Sequence, residues 1–179
     1  PTKDNMTIII GIERAGKVIL AGDLEASADN VSFPQKHPKV FIRQGIVFGF
    51  STSFRFGQLL QFCMKIPEPI PSTNILEWLV TVLIPELRVT ISNAEYKDPF
   101  DCLIGIGGEL YILQSDFSLI CSAYGYAAIG NAAEFALGCI STHLSIGKYQ
   151  SIETILETSI ALCSEHCSGV SETCVVVSN

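Results

Sequence analysis

The residues best suited by type to metal or redox chemistry are cysteines and a histidine near the C-terminus. Cys163, His166, Cys167 and Cys174 offer thiol and imidazole groups, but a Cys-x-x-His-Cys segment with one distant cysteine does not match the spacing of four-ligand zinc sites. The three histidines of the chain are not flanked by the glycine pattern that surrounds a catalytic serine. We therefore expect no metal, no cofactor and no serine triad.

A glycine-rich segment could in principle bind phosphate. Gly105, Gly107 and Gly108 form such a set, but they do not precede a helix, whose N-terminal amide groups a pyrophosphate site requires. The segment is instead typical of a β-hairpin turn, and no nucleotide site is predicted.

A third set of residues lies within the first forty positions. Thr7 starts one apolar run, Asp23 ends the next, and Lys39 precedes the apolar Val40. A threonine hydroxyl is a weak nucleophile until a base takes its proton, and a free α-amine with a pKa of about 8 can be that base. A lysine beside an aspartate keeps its charge near the hydroxyl and lowers the free energy of the alkoxide. Taken alone, the pattern also fits three residues without a catalytic role. Thr7 would then be a strand residue, Asp23 a turn residue and Lys39 a solvated residue at the end of a strand.

The spacing of these residues resembles the proteasome β-subunit family and its bacterial ATP-dependent peptidase relatives, which are N-terminal nucleophile hydrolases. In that family a threonine heads the first strand, a Gly-x-apolar-(Ala/Gly)-Asp stretch ends the second, and a lysine followed by an apolar residue begins the third. Thr7, Gly16, Asp23 and Lys39 fall at the family's intervals without gaps. The resemblance covers nearly the whole chain and implies a threonine peptidase, with Thr7 as nucleophile, Lys39 tuning it and Asp23 orienting Lys39.

Two later segments resemble further motifs of the family, with substitutions. Ala128–Ala132 has Asn131 where the family has a serine, and Glu165–Gly169 has Glu165 at the aspartate position and Ser168 at the serine position. The resemblance implies that Glu165 and Ser168 support the terminal amine. It also implies that Asn131 keeps a hydrogen-bonding side chain at the position where the family has a serine. The longer side chain of Glu165 is expected to change that hydrogen-bond network.

Two other features depart from the family pattern. The turn whose glycine amide helps to stabilise the oxyanion aligns near Ser51–Ser53, where glycine is missing. Thr7 is preceded by residues 1–6, which we interpret as an extension or propeptide before a single domain over 7–179. Removal of residues 1–6 would free the threonine amine. Their retention would leave a catalytically inactive structural or binding subunit of a proteasome-like assembly, and both alternatives stay open.

Apolar patterning predicts which elements position these residues. In chain order they are strands at 7–12, 17–21, 40–43 and 46–50, a helix at 54–66, a helix beginning after Ser72 or Thr73, strands at 102–106, 110–114 and 119–122, helices at 131–144 and 151–163, and a strand at 173–177. Pro85 is expected to kink or split the second helix. Separate blocks of strands and helices indicate an α+β fold. The resemblance implies a four-layer αββα sandwich, with two stacked antiparallel sheets covered by helix pairs.

Composition limits the partners of the chain. The 179 residues include 11 basic and 18 acidic side chains, and the formal net charge of −7 disfavours nucleic acid and anionic lipid as partners. Neither a membrane-spanning run nor a signal peptide is recognisable, which predicts a cytoplasmic protein. The seven cysteines are odd in number and mostly lie in apolar runs, which predicts reduced thiols that mostly occupy the core. The charged fraction of 16% predicts apolar surface hidden in an oligomer. The resemblance implies a homo-oligomeric ring acting on a peptide or protein, and leaves an ATPase partner open.

Overall fold

A computed structural model describes residues 7–28, 31–146 and 150–179 of the chain. The strands in this part are β1 (Ile8–Arg14), β2 (Lys17–Asp23), β3 (Glu25–Ala28), β4 (Val31–Pro34), β5 (Val40–Arg43), β6 (Ile46–Ser51), β7 (Asp101–Ile106), β8 (Glu109–Gln114), β9 (Leu119–Cys121), β10 (Tyr126–Gly130) and β11 (Cys174–Ser178). Every strand pairing described is antiparallel. The strand order is β10-β1-β2-β11 in one sheet and β5-β6-β7-β8-β9 in another, and β3 pairs with β4.

Four helical segments accompany these sheets. Helix α1 begins with Phe54–Gln58 and continues as a π-helix over Leu59–Cys63. Helix α2 consists of Ile75–Trp78, a π-helical segment Leu79–Leu83, and Ile84–Asn93. Helices α3 and α4 span Ala133–Ile146 and Ile152–His166. Within the described ranges, no helix has both the length and the apolar character needed to cross a membrane.

Three clusters of buried apolar residues connect these elements. One joins α3 and α4 to alternate residues of β1 and β2, among them Ile8 and Ile10. A second joins α1 and α2 to β5–β8. The third lies between the two larger sheets and contains Ile9 from β1 and Val40 from β5. Because successive strand residues face opposite sides, Ile8 and Ile10 contact the helices while Ile9 contacts the other sheet.

Close approach of the two sheets depends on glycine. A methyl group at Gly22 would lie 3.0 Å from Val40 Cγ1 in the other sheet, and one at Gly49 would lie 2.6 Å from Ile9 Cγ2. Both distances are below carbon–carbon contact, so these two positions have no room for a side chain unless the core shifts. The sheet edges that begin with Thr7 and Lys39 are therefore held near each other.

The α+β composition and the hairpin turn predicted at Gly107 and Gly108 are confirmed, but two local predictions were wrong. The polar stretch after Asp23 contains the hairpin β3–β4, so six strands precede the first helix. Helix α2 begins after Asn74, not after Ser72 or Thr73. Pro85 was predicted to kink or split this helix, and it lies in the first turn of the α-helical part Ile84–Asn93, directly after the π-helical interruption Leu79–Leu83.

Candidate active site

Thr7 is fixed at the start of β1 by backbone contacts on both sides. The carbonyl oxygen of Thr7 accepts a hydrogen bond from the Asn131 amide at 3.1 Å. The next amide, that of Ile8, donates to Asp23 Oδ1 at 3.0 Å. The Thr7 residue is 4% exposed. Its hydroxyl therefore has a defined position between the end of β10 and the end of β2.

Asp23 is a buried carboxylate that organises three neighbouring groups. Its Oδ1 atom accepts hydrogen bonds from the Ile8 amide and from Lys39 Nζ, and its Oδ2 atom accepts one from the Glu25 amide at 3.0 Å. Hydrogen bonds from backbone amides to a carboxylate are charge-assisted and shorter than neutral ones. Asp23 thus links the starts of β1 and β3 to the lysine.

Lys39 completes the trio. Its Nζ atom lies 2.9 Å from Thr7 Oγ1 and 2.9 Å from Asp23 Oδ1, and its side chain is 1% exposed. Burial lowers the pKa of Lys39 from its ordinary value, while the nearby charges of Asp23 and Glu25 oppose that shift. A lysine with a lowered pKa, touching a hydroxyl, can stabilise an alkoxide when charged and can accept a proton when neutral.

The turn that aligns with the oxyanion site has an unusual backbone. Thr52 has a φ of 78°, a left-handed conformation that β-branched residues rarely adopt. The Ser53 amide donates to the Ser51 carbonyl at 3.0 Å, which closes a three-residue turn. The Ser53 hydroxyl accepts a hydrogen bond from the Phe56 amide and so caps α1. To bind an oxyanion, the Ser53 amide must exchange its bond to Ser51 for one to the ligand.

The other predicted site residues occupy different positions. Asn131 meets Thr7 through its backbone amide, and its side chain is exposed. Glu165 is exposed in the last turn of α4, and in the described part of the chain no hydrogen bond or ion pair involves its carboxylate. Ser168 is an exposed residue just before Gly169, which has a φ of 74°. The structure thus joins Thr7, Asp23 and Lys39 into one hydrogen-bonded group and leaves the Glu165 side chain outside it.

Two residues of the site were missed by sequence reasoning. Glu25 donates its amide to Asp23 and adds a second negative charge near Lys39; its position two residues after Asp23 was the available signal. Gly130 has a φ of 100°, and a methyl group there would lie 2.0 Å from the Thr7 carbonyl oxygen. The sequence carried no signal for Gly130, because this residue lies next to Thr7 only through the pairing of β10 with β1.

Replacing Gly130 with alanine should therefore damage the site through the backbone. We expect Gly130→Ala to lower the free energy of unfolding by about 2–4 kcal/mol, because the methyl group clashes with Thr7 and the positive φ is strained. Gly138→Ala is the matched control: no atom lies within 4 Å of the added methyl group in α3. That change should raise stability by about 0.5–1 kcal/mol. Urea titrations measure both, and equal effects of the two changes would contradict this account of Gly130.

The cysteines do not assemble a metal centre in the described residues. No group of three or more His, Cys, Asp or Glu side chains there could hold a metal ion. All seven cysteines are unpaired thiols. The prediction that they mostly occupy the core holds for Cys102 and Cys163 but is wrong for Cys63 and Cys121, which are exposed. Burial raises the pKa of Cys163 to about 12, so this thiol is a poor nucleophile at neutral pH.

Comparison with known proteins addresses the fold. No family model matches the chain, and no curated protein matches it. Among solved structures, Thiobacillus denitrificans BPH in complex with epoxomicin matches with a TM-score of 0.77 and 13% identity, over 97% of this chain and 98% of that one. Eukaryotic HslV from Trypanosoma brucei matches with a TM-score of 0.69 and 16% identity, over 96% and 98%. Anbu, an ancestral β-subunit from Yersinia bercovieri, matches with a TM-score of 0.68 and 14% identity, over 96% and 81%.

Similarity at such low identity concerns the fold. It extends over nearly the whole chain in each of the three comparisons. The resemblance identified in the sequence is therefore confirmed at the level of the fold, and this chain has an HslV- and proteasome-like fold.

Proposed function

We propose that this chain is a proteasome-like peptidase that hydrolyses peptide bonds through Thr7 once residues 1–6 have been removed. One observation carries the proposal. The buried Nζ atom of Lys39 lies 2.9 Å from both Thr7 Oγ1 and Asp23 Oδ1. A buried lysine is expensive to maintain unless it is paired, and here its contacts are a carboxylate and a potential nucleophile. This arrangement suits a hydroxyl that must become an alkoxide.

The chemistry follows from the positions of these groups. The freed α-amine of Thr7 takes the proton from Oγ1, and Oγ1 attacks the carbonyl carbon of the substrate. Lys39 stabilises the developing negative charge on Oγ1, and Asp23 holds Lys39 in place. The proton then passes to the leaving amine as the peptide bond breaks, giving an ester on Thr7. Attack by water on this ester releases the acid and restores the hydroxyl.

The wider assembly is part of the same proposal. The packing of helices on the outer face of each large sheet supports the four-layer αββα sandwich. The exposed Val89 and Ile146, 54% and 75% accessible, support a homo-oligomeric ring in which such side chains are covered. We infer a cytoplasmic protein that acts on peptide or protein substrates. The proposal does not specify whether an ATPase delivers these substrates.

A second candidate is a catalytically inactive subunit of a similar assembly. Three observations favour it: the Ser53 amide is engaged with Ser51, the Glu165 carboxylate is exposed, and Thr7 follows Met6 in the sequence. With Met6 in place, the Thr7 nitrogen is an amide that cannot accept the hydroxyl proton. This candidate predicts a folded, assembled protein without hydrolytic activity.

The two candidates are separated by controlling the N-terminus. Three proteins are released from a cleavable fusion: one starting at Thr7, one retaining residues 1–6, and one starting at alanine in place of Thr7. The peptidase proposal predicts hydrolysis of a fluorogenic peptide library by the first, with at least about a thousandfold less by the others. Circular dichroism and size-exclusion chromatography control for folding and assembly. A folded, assembled Thr7-start protein without activity would overturn the peptidase proposal in favour of the inactive subunit.

A further inference from the structure

A pocket of about 400 Å³ lies beside the segment that carries Lys39. Its walls include Pro38, the residue before Lys39, and Phe50 from the adjacent strand β6. The Phe50 amide donates a hydrogen bond to the Lys39 carbonyl at 3.1 Å. The pocket therefore adjoins the short piece of backbone that carries Lys39.

The charge of this pocket has one sign. Arg55, on the first turn of α1, lines it together with His37. Arg55 is exposed, and among the described residues it has no hydrogen-bond or ion-pair partner. No aspartate or glutamate of the described chain lines the pocket, although the whole sequence carries a net charge of −7. An unpaired guanidinium in such surroundings is suited to a carboxylate, which it can bind through two parallel hydrogen bonds.

The rest of the pocket is lined by three phenylalanines and three glutamines, together with Gly57 and Cys63. The rings of Phe50 and Phe54 meet edge to face, with centroids 6.0 Å apart. Phe50 is held against Gly57, where an added methyl group would lie 2.2 Å from its ring. Phe62, on the π-helical part of α1, lines the same pocket and is 71% exposed. Fixed rings next to a cationic group suit a ligand with a short aliphatic stem and a charged end.

We propose that this pocket binds an acidic side chain of the peptide substrate, with Arg55 pairing its carboxylate and the phenylalanine rings contacting its methylene groups. The proposal deepens the proposed function and rests on it, since it assigns a substrate preference to the same active site. Asp23, the nearby buried carboxylate, does not oppose such a ligand because Lys39 neutralises it.

The test uses the Thr7-start protein and internally quenched peptides with amidated C-termini. A set of peptides places a single glutamate, or glutamine in its stead, at each position around the cleavage site. We expect one position at which the glutamate peptide has a KM about fivefold below that of its glutamine twin, as a partly exposed charge pair allows. Arg55→Met should bring that ratio close to one, and Arg55→Lys should restore part of it. Lys97→Met, which alters an exposed lysine outside the pocket, should leave the ratio unchanged.

A binding measurement separates failure of this inference from failure of the proposed function. Thr7→Ala protein is titrated with labelled glutamate and glutamine peptides, and binding is followed by fluorescence anisotropy. Tighter binding of the glutamate peptide, lost in Thr7→Ala/Arg55→Met, supports the pocket even if no variant hydrolyses peptide. Equal KM and equal affinity for the twin peptides would overturn the inference while leaving an active peptidase intact.

Discussion

Lys39→Met in the Thr7-start protein is expected to lower kcat/KM for peptide hydrolysis by about 100- to 10,000-fold. Methionine has a similar length but no charge, so Thr7 Oγ1 loses the ammonium group that lies 2.9 Å away. Steady-state kinetics on the best fluorogenic substrate measure the loss. Lys97→Met removes an exposed lysine and should leave kcat/KM within about twofold of the parent protein, as for most surface changes.

The same change should also weaken the fold. Asp23, 0% exposed, would keep its hydrogen bonds from Ile8 and Glu25 but lose its counter-ion. Breaking a buried ion pair from one side lowers the free energy of unfolding by about 3–5 kcal/mol. Lys39→Arg keeps the charge and should recover part of the stability but little of the activity, because the larger guanidinium displaces the contact with Thr7. A fully active Lys39→Met protein would exclude Lys39 from the mechanism.

Asp23→Asn is expected to move the alkaline limb of the pH profile of kcat/KM to lower pH. Burial lowers the pKa of Lys39, and the charge of Asp23 is the main opposing influence. Without that charge the pKa of Lys39 falls further, so the ammonium form is lost at a lower pH as the solution becomes more alkaline. We also expect a fall in kcat/KM of about 10- to 1,000-fold near neutral pH, since the orientation of Lys39 depends on the carboxylate.

Glu25→Gln provides the graded control for this prediction. Glu25 opposes the lowering of the Lys39 pKa less than Asp23 does. The alkaline limb should therefore move in the same direction, by a smaller amount, while the hydrogen bond from the residue 25 amide to Asp23 remains. An alkaline limb that stays in place in Asp23→Asn would show that the limb does not report Lys39.

The parts of the fold that were predictable are those with apolar patterning of their own. The hairpin β1–β2 and the pair β5–β6 have buried, mostly apolar residues and glycine near their turns. Strand β4 was not predicted because it is a segment of only four residues within a polar stretch, and all four residues are exposed. Strand β10 consists largely of small residues with little β propensity, and it is a strand because it pairs with β1.

The candidate site also contains residues that the sequence predicts and features that it does not. Thr7, Asp23 and Lys39 could be predicted because each begins or ends an apolar run, and the structure joins them by hydrogen bonds. The left-handed Thr52 and the pocket beside Lys39 could not, since the first depends on backbone geometry and the second on residues from separate elements. Residues 1–6 lie outside the described part of the chain, so the prediction that they form an extension or propeptide stays a prediction.

The most direct test of the central claim is to identify the residue that an active-site electrophile modifies. Epoxomicin, the ligand bound in the Thiobacillus denitrificans BPH structure, is a suitable probe. The Thr7-start protein is incubated with epoxomicin, and its intact mass is measured. Tandem mass spectrometry of its peptides then locates the modified residue. Our account predicts one epoxomicin per chain, attached to Thr7 and absent from Thr7→Ala and from protein retaining residues 1–6. A folded, assembled protein that stays unmodified, or that is modified on an exposed thiol such as Cys63 instead, would contradict Thr7 as the nucleophile.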